Sequence, residues 1–248
     1  MGLIKTKKEI QIMAEGGKIL ATVLKEIERM VKPEITTKDL DRTAEALILK
    51  HKVKPAFKGY ENFPYSLCTS VNDIIVHGLP SDYKLKEGDI VGLDLGVLYK
   101  SYNIDMAVTI GVGKISFEAK RLLTVTKKAL KLGIKKARPG NTTGDIGNTI
   151  QRYVEDQGYG VVRELCGHGI GKEIHEDPRL PNYGKRKTGD KLVEGMVICI
   201  EPMVTMGDYH LIKAKDGYSF ATKDGSLAAH FEHTIAITKD GAKILTVI

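Results

Sequence analysis

The chain has no tryptophan, only three cysteines and no long apolar run among its 248 residues. The thiols of Cys68, Cys166 and Cys199 make no even set for a disulfide framework, so we expect reduced cysteines in a reducing compartment. No apolar stretch approaches the ~18 residues of a membrane-spanning helix, and the N-terminus is too polar for a secretory signal. These absences predict a cytoplasmic protein with no membrane segment.

The charge of the chain is biased toward the basic side, with a formal net charge of +7 at pH 7. Lysines cluster in residues 50–54, 127–136 and 185–187. Such clusters are typical of a solvated surface or of a surface that attracts a polyanion such as RNA. Aromatic residues do not alternate with these lysines, which argues against a dedicated nucleic-acid reader and favours the solvated surface.

Helical and extended patterns alternate along the chain. Apolar and small residues recur at spacings of three and four from Ile10 to Val31, which predicts an amphipathic helix that Pro33 ends. A threonine cap at Thr36 then starts a second helix that runs to about Lys50. A third helix is predicted over residues 117–136, and strands over 89–99 and 104–112.

The second half of the chain repeats the plan of the first. Residues 33–40 have a counterpart in 139–146, and residues 84–94 have one in 191–201, at an offset of 106 or 107 residues. Two matches at nearly one offset predict two related α/β halves that share a pseudo-two-fold axis, with a site between them. We place the halves at about 1–113 and 114–248 and predict that they form a single domain.

The repeat places Asp94 opposite Glu201, each as an acid in an apolar strand. Because strand side chains alternate between faces, Asp94 shares its face with Gly92 and Gly96, and these glycines leave room beside the carboxylate. Burying an unpaired carboxylate is costly or forces it to take up a proton. An arginine, a hydrogen-bond network or a metal ion is the usual remedy.

The following strand of each half carries a further acid, Asp105 and Glu232. Arginine is scarce near all of these acids, so their convergence favours two divalent cations as counter-charges. His168, in a glycine-rich stretch, is the natural fifth ligand, although this stretch alone is equally typical of a turn with a stray histidine. Oxygen-rich ligands with one imidazole suit Mn, Fe or Co, and Zn is a further candidate.

These residues resemble, in order and over essentially the whole chain, the pattern of type I methionine aminopeptidases. The pattern consists of His77-Gly-Leu-Pro, Asp94, Asp105, Gly167-His168-Gly-Ile-Gly, His175-Glu-Asp-Pro, Ile200-Glu201-Pro202-Met203 and Glu232-His-Thr. The resemblance implies a compact bacterial-type chain with the pita-bread fold, in which two pseudo-symmetric α/β halves surround a central antiparallel-rich sheet. It also implies a metal-dependent aminopeptidase that removes the initiator methionine from nascent proteins when the second residue is small.

The resemblance assigns a role to each chemical group. Two divalent ions would be held by Asp94, Asp105, His168, Glu201 and Glu232, and a bridging water or hydroxide would attack the peptide carbonyl carbon. Glu201 would take the proton, His175 would stabilise the oxygen of the tetrahedral intermediate, and His77 would contact the substrate near the scissile amide. A metal would also bind the free α-amino group, which accounts for exopeptidase action.

The methionine side chain would occupy a pocket lined by Tyr60, Phe63, Cys68 and Tyr218. An apolar and polarisable lining suits a thioether. Family members often carry a tryptophan where Tyr218 stands and a cysteine where Phe57 stands, so this chain departs from the pattern in the pocket.

Two alternatives stay open on the sequence. One is a proline-specific aminopeptidase or dipeptidase of the same fold, although such enzymes usually carry a large additional N-terminal domain. The other is a non-catalytic relative that binds RNA or the ribosome, although such relatives tend to lose metal ligands that this chain retains. We expect nascent polypeptide N-termini as partners, a monomeric chain, and ribosome contact through the basic surface as a further hypothesis.

Overall fold

The computed structural model describes residues 3–248 and contains both helices and antiparallel strands throughout this range. The mixed α/β class is therefore as predicted. The helices are α1 Lys7–Met30, α2 Thr37–Lys50, α3 Phe117–Lys136 and α4 Thr143–Asp156, with a short 3-10 turn at Tyr60–Asn62. The predicted helices correspond to α1, α2 and α3, which confirms the periodicity argument.

The strands are short in most places and long at β4 and β5, which correspond to the two predicted strands. Their bounds are β1 Lys54–Pro55, β2 Leu67–Val71, β3 Ile74–Val76, β4 Ile90–Tyr99, β5 Tyr102–Gly111, β6 Gly160–Val161, β7 Cys166–Gly169, β8 Glu176–Pro181, β9 Val197–Ile200, β10 Met203–Thr205, β11 Leu211–Lys213, β12 Phe220–Thr222, β13 Ala228–His230, β14 His233–Thr238 and β15 Gly241–Ile244.

Each helix begins at a hydroxyl residue that caps it. The side-chain oxygen of the cap accepts a hydrogen bond from the backbone N–H three residues later, which satisfies a donor that the first turn leaves free. The caps are Thr6, Thr36, Ser116 and Thr142. The threonine cap predicted for the second helix is thus confirmed.

The two halves of the chain build the same sheet pattern. In the first half β4 pairs with β5 along its whole length and with β2 along its other edge. In the second half β9 pairs with β14 on one side and β7 on the other, and all of these pairings are antiparallel. Thr36 bridges to Lys84, and Thr142 bridges to Lys191, so the repeated sequences make the same contact in both halves.

The helices cover one face of the sheets. Val91, Leu93, Leu95 and Val97 of β4 lie in a buried apolar cluster with α1 and α2. A second cluster joins α3 and α4 to β9 and β14. Asp94 therefore lies on the face of β4 away from the helices, as strand alternation predicts.

The two sheets meet where β5 runs beside residues 230–234. The backbone N–H of Glu232 donates to the Ala107 carbonyl at 2.8 Å. The Thr234 hydroxyl donates to the Asp105 carbonyl at 2.7 Å and accepts from the Asp105 N–H at 3.0 Å. This junction places acids from both halves side by side. The assignment of residues 1–248 to a single domain stays a prediction.

Among residues 3–248, no helix is both long enough and apolar enough to cross a membrane.

Candidate metal centre and substrate pocket

Strand register in the first half brings two acids to one face. Asp94 on β4 lies opposite Ala107 on β5, and Gly96 lies opposite Asp105. Directly opposed residues share a face, so Asp94 and Asp105 are diagonal neighbours on it. Both residues are buried, at 9% and 5% exposure.

The second half supplies two more acids, but from just outside its strands. Glu201 follows the last residue of β9, and Glu232 precedes the first residue of β14. The prediction that every acid lies within a strand is therefore wrong for this half. The chain leaves the ladder at these positions, and the backbone N–H of Glu232 bonds to β5 of the other half instead. The shift carries the Glu232 carboxylate toward Asp94 and Asp105, with which it forms a cluster of ligand atoms within 4.8 Å of one another.

All of the site residues predicted from the sequence line one cavity of about 760 Å³. Its floor consists of the acids and His168, which β7 holds opposite Cys199 of β9. Its walls include His77, His175 and the predicted aromatic residues. One cavity thus combines a polar floor with an apolar wall, which is the usual composition of a small-molecule or peptide site.

The carboxylates of the floor repel one another. Burial, followed by the neighbouring charges of Glu232, Asp94 and Glu201, raises the pKa of Asp105 well above its usual range. Burial raises the pKa of Asp94 as well, and burial together with Asp94 raises that of Glu201. The ion-pair contacts of Glu201 are histidines rather than lysine or arginine. Bringing these acids together without a cation is therefore unfavourable.

Unpartnered atoms in the floor fit a divalent cation. Asp94 Oδ1 and Glu232 Oε1 are buried and have no hydrogen-bond partner among residues 3–248. Such atoms are costly in a folded protein unless something accepts their lone pairs. Carboxylate oxygens of this kind are the ligands that Mn²⁺, Fe²⁺ and Co²⁺ accept in proteins. The donor set therefore suits a metal centre.

The tautomer of His168 also supports a metal centre. Its Nδ1 lies 2.9 Å from the Gly169 carbonyl oxygen, which only accepts, so Nδ1 carries the hydrogen. The lone pair of Nε2 then faces Glu201 Oε1 at 3.5 Å. Burial lowers the pKa of His168 to about 4, so the ring is neutral near pH 7. A lone pair and a carboxylate oxygen that face each other suit a cation between them.

His175 and Tyr60 form a second polar unit above the floor. The Tyr60 hydroxyl lies 2.9 Å from His175 Nδ1, and the two rings meet edge to face. The His175 ring also packs against the His168 ring, with centroids 4.5 Å apart. Burial lowers the pKa of His175. Tyr60 thus contacts a polar group and is more than the apolar lining that the sequence predicted.

His77 also lines the cavity and has an unusual backbone conformation. Its φ of 57° lies in the left-handed region, which non-glycine residues rarely adopt. The residue is exposed to solvent and its ring lines the cavity. Partial desolvation there, followed by the neighbouring His230 and His175, lowers the pKa of His77. The neutral ring is held edge-on to Phe220.

Aromatic rings build the apolar wall. Phe63 meets Tyr218 edge to face at 5.7 Å, and Cys68 lies opposite Asp94 in the strand register. The Tyr218 hydroxyl donates to the Asn62 carbonyl at 2.9 Å, so Tyr218 also stabilises the turn that carries Tyr60.

The space beside Asp94 is smaller than the sequence predicted. A Cβ atom on Gly96 would lie 2.7 Å from the Phe57 ring, so this ring fills the room that the glycine leaves. On the neighbouring strand, Ser70 lies next to Gly92. A Cβ atom on Gly92 would lie 3.3 Å from the Cβ atom of Ser70. The glycines therefore accommodate neighbouring side chains rather than an open space.

The sequence argument missed two residues that lie beside the predicted ligands. His230 is 3% exposed and lines the cavity, with Nε2 lying 3.5 Å from Glu201 Oε2. Cys199 lies with His168 and Glu232 in a second group of ligand atoms. His230 precedes Glu232 by two positions, and Cys199 precedes Glu201 by two. Residues two positions apart along an extended chain lie on the same side, and this spacing could have identified both residues from the sequence.

Comparison with known proteins agrees with this geometry. The model of the metallopeptidase family M24 matches residues 11–239. The chain belongs to metallopeptidase family M24. Members of this family use divalent metal ions, so the predicted metal dependence is confirmed at that level.

Relatives of the M24 chain cover its full length. It is 48% identical over 248 residues to a methionine aminopeptidase of Clostridium perfringens, with 100% of both chains covered. It superposes on the crystal structure of a methionine aminopeptidase from Thermotoga maritima with a TM-score of 0.97, 46% identity and 99% coverage of each chain. A prolidase from Pyrococcus furiosus is more distant, with a TM-score of 0.82, 28% identity and 66% of that chain covered. The predicted pita-bread fold is confirmed by these structures.

Proposed function

We propose that this chain is a metal-dependent aminopeptidase that removes an N-terminal methionine from nascent proteins when the second residue is small. The observation that carries the proposal is the group of buried acids Asp94, Asp105 and Glu232, with unpartnered oxygens, beside an apolar cavity wall. The relatives named methionine aminopeptidase, at 46–48% identity over the full chain, support the same activity.

We assign the metal ligands to the floor of the cavity. Asp94, Asp105, His168, Glu201 and Glu232 would hold two divalent ions of Co, Mn, Fe or Zn. Bound ions would lower the pKa of a water molecule and polarise the scissile carbonyl. The protein supplies the fixed acids and the neutral His168 ring that such ions require.

The remaining groups would bind the substrate and transfer the proton of the attacking water. Tyr60, Phe63, Cys68 and Tyr218 would enclose the methionine side chain and orient the peptide. His175, with Nδ1 occupied by Tyr60, has Nε2 available to stabilise the carbonyl oxygen as it gains charge. His77 would contact the scissile amide, and Glu201 would take a proton from the attacking water and deliver it to the leaving amine.

The test is peptide cleavage by the purified chain after metal removal and reloading with Mn²⁺ or Co²⁺. We expect release of methionine from Met-Ala-Ser, and loss of metal affinity and activity together in the His168→Ala variant. A matched control is His210→Ala, since His210 is an exposed histidine bonded to Asp208. No methionine release with any divalent metal would contradict the proposal.

A proline-specific enzyme of the same fold is the second candidate, because the chain also resembles a prolidase structure. Comparing Met-Ala-Ser with Xaa-Pro peptides under the same conditions separates the two activities. Ribosome contact through the basic surface, a monomeric state and a cytoplasmic location stay predictions from the sequence. A non-catalytic relative would bind no metal, and metal analysis of the purified protein tests this.

A further inference from the structure

His230 is a buried histidine to which the proposed reaction gives no part. Its ring is 3% exposed, and its Nε2 has no hydrogen-bond partner within the part of the chain that the structure describes. Leaving a buried polar nitrogen without a partner is unfavourable. This nitrogen points into the cavity beside Glu201, so the cost is incurred at the proposed metal centre.

The backbone of His230 is held on both sides. Its N–H donates to the Thr109 hydroxyl at 2.9 Å, and its carbonyl accepts from the same hydroxyl at 2.7 Å. On β13 it also lies opposite Met203 of β10. Because these contacts come from the other half and from a neighbouring strand, the ring is carried by a rigid part of the fold rather than by a loop.

The Glu201 carboxylate lies between two imidazoles. Oε1 is 3.5 Å from His168 Nε2, and Oε2 is 3.5 Å from His230 Nε2. His168 presents a lone pair, because its hydrogen is on Nδ1. The opposite arrangement at His230, with the hydrogen on Nε2, avoids a second repulsion between lone pairs and offers a donor to Oε2.

We propose that His230 is a positioning residue for Glu201. Its Nε2–H donates to Oε2 and keeps Oε1 turned toward His168 and the metal. The 3.5 Å separation is longer than a hydrogen bond, and contacts of this kind at active sites shorten when the site is occupied. Removing such an outer partner typically lowers metal affinity by about 10–100-fold. This inference rests on the proposed metal centre.

The experiment measures cobalt binding without peptide in the wild-type chain and in two variants. His230→Ala removes the donor, and we expect its Co²⁺ dissociation constant to rise by about 10–100-fold. His230→Gln keeps an N–H donor, and we expect it to restore most of the affinity. The visible absorption bands of bound Co²⁺ should keep their positions in His230→Gln, because the ligand set is unchanged. With Met-Ala-Ser, kcat should fall in His230→Ala while KM changes little.

His233→Gln is the matched control. His233 is adjacent to Glu232 in sequence, but its Nδ1 bonds to the Thr246 hydroxyl at 2.8 Å. We expect its cobalt affinity to equal that of the wild-type chain. If His230→Ala does not fold, His230→Asn replaces it, since the shorter amide carries a donor that cannot reach Oε2 and should bind cobalt as weakly as predicted for alanine.

Three results would overturn the inference. An unchanged Co²⁺ dissociation constant in His230→Ala would show that His230 does not position Glu201. A shift of the cobalt bands in both His230→Ala and His230→Gln would identify His230 as a direct ligand instead. A wild-type chain that binds no cobalt would contradict both this inference and the proposed function. A wild-type chain that binds cobalt but releases no methionine contradicts the proposed function alone, and the variant affinities then decide the role of His230.

Discussion

Tyr60 joins the apolar wall of the cavity to the polar group above its floor. Its ring lines the cavity, and its hydroxyl lies 2.9 Å from His175 Nδ1. If the hydroxyl donates, Nδ1 is the acceptor and Nε2 carries the hydrogen that a substrate carbonyl would receive. The turn that carries Tyr60 includes Glu61 and Asn62 at positive φ, and Tyr218 braces it through the Asn62 carbonyl.

Tyr60→Phe tests this arrangement at the scale of one atom. Losing one hydrogen bond of about 1 kcal/mol should lower kcat roughly fivefold. KM should change little, because the apolar ring remains. The nitrogen-15 chemical shifts of His175 should show a changed tautomer population. Tyr65→Phe is the control, since Tyr65 packs edge to face on Phe63 from outside the cavity lining. Equal kcat and identical nitrogen shifts in Tyr60→Phe would contradict the assignment.

At the scale of the element, α1 is stabilised by charge at its start. Glu9 completes a capping box with Thr6, whose N–H donates to Glu9 Oε2 at 2.7 Å. The Tyr102 hydroxyl donates to Glu9 Oε1 at 2.6 Å and ties the helix to β5. The Tyr102 hydrogen bond, followed by those from Thr6, lowers the pKa of Glu9 from 4.5 to about 2. The ionised form of Glu9 therefore stabilises the fold.

Glu9→Gln should lower the free energy of unfolding at pH 7 by about 1 kcal/mol. A group whose pKa is depressed on folding contributes its stability above pH 4.5, and this contribution is lost as the pH falls toward 2. The difference in the free energy of unfolding between the wild-type chain and Glu9→Gln, measured by urea unfolding, should thus decrease as the pH falls from 4.5 toward 2. Glu26→Gln removes the same charge later in α1 and should not reproduce this narrowing. A difference in the free energy of unfolding that is constant from pH 7 to pH 2 would contradict the prediction.

At the scale of the whole molecule, the two halves depend on each other through the acids at their junction. Repulsion among Asp94, Asp105 and Glu232 opposes docking of the halves, and a divalent ion bound there would offset it. An ion that binds only the folded chain, at about 100 times its Kd, contributes roughly 2.7 kcal/mol. For a chain of this size we therefore expect Mn²⁺ or Co²⁺ to raise Tm by about 5–10 °C.

Thermal unfolding with and without EDTA measures this effect. Chelation should lower Tm, and added metal should restore it. His168→Ala, which lacks the nitrogen ligand, should respond much less to the same metal concentration. An equal rise of Tm in the wild-type chain and in His168→Ala would place the stabilising ion elsewhere.

The repeat predicted which acids lie together, but not where the backbone places them. Asp94 and Asp105 lie within β4 and β5 as the alternation predicts. Glu201 and Glu232 lie just outside β9 and β14, and the backbone N–H of Glu232 bonds across the junction to Ala107. Phe57 in the space beside Gly96 was likewise invisible to a pattern, since the contact joins residues far apart in sequence.

The sequence by itself predicted α1, α2, α3, the long strands and the convergence of the acids with His168. These depend on periodicity, capping and glycine placement within short stretches, which are local properties of the chain. Only the tertiary structure decided the tautomer of His168, the contact of Tyr60 with His175 and the presence of His230 in the floor. Each of these depends on a carbonyl, a hydroxyl or a carboxylate that another element brings within a few ångströms, and such distances are set by packing of the two halves.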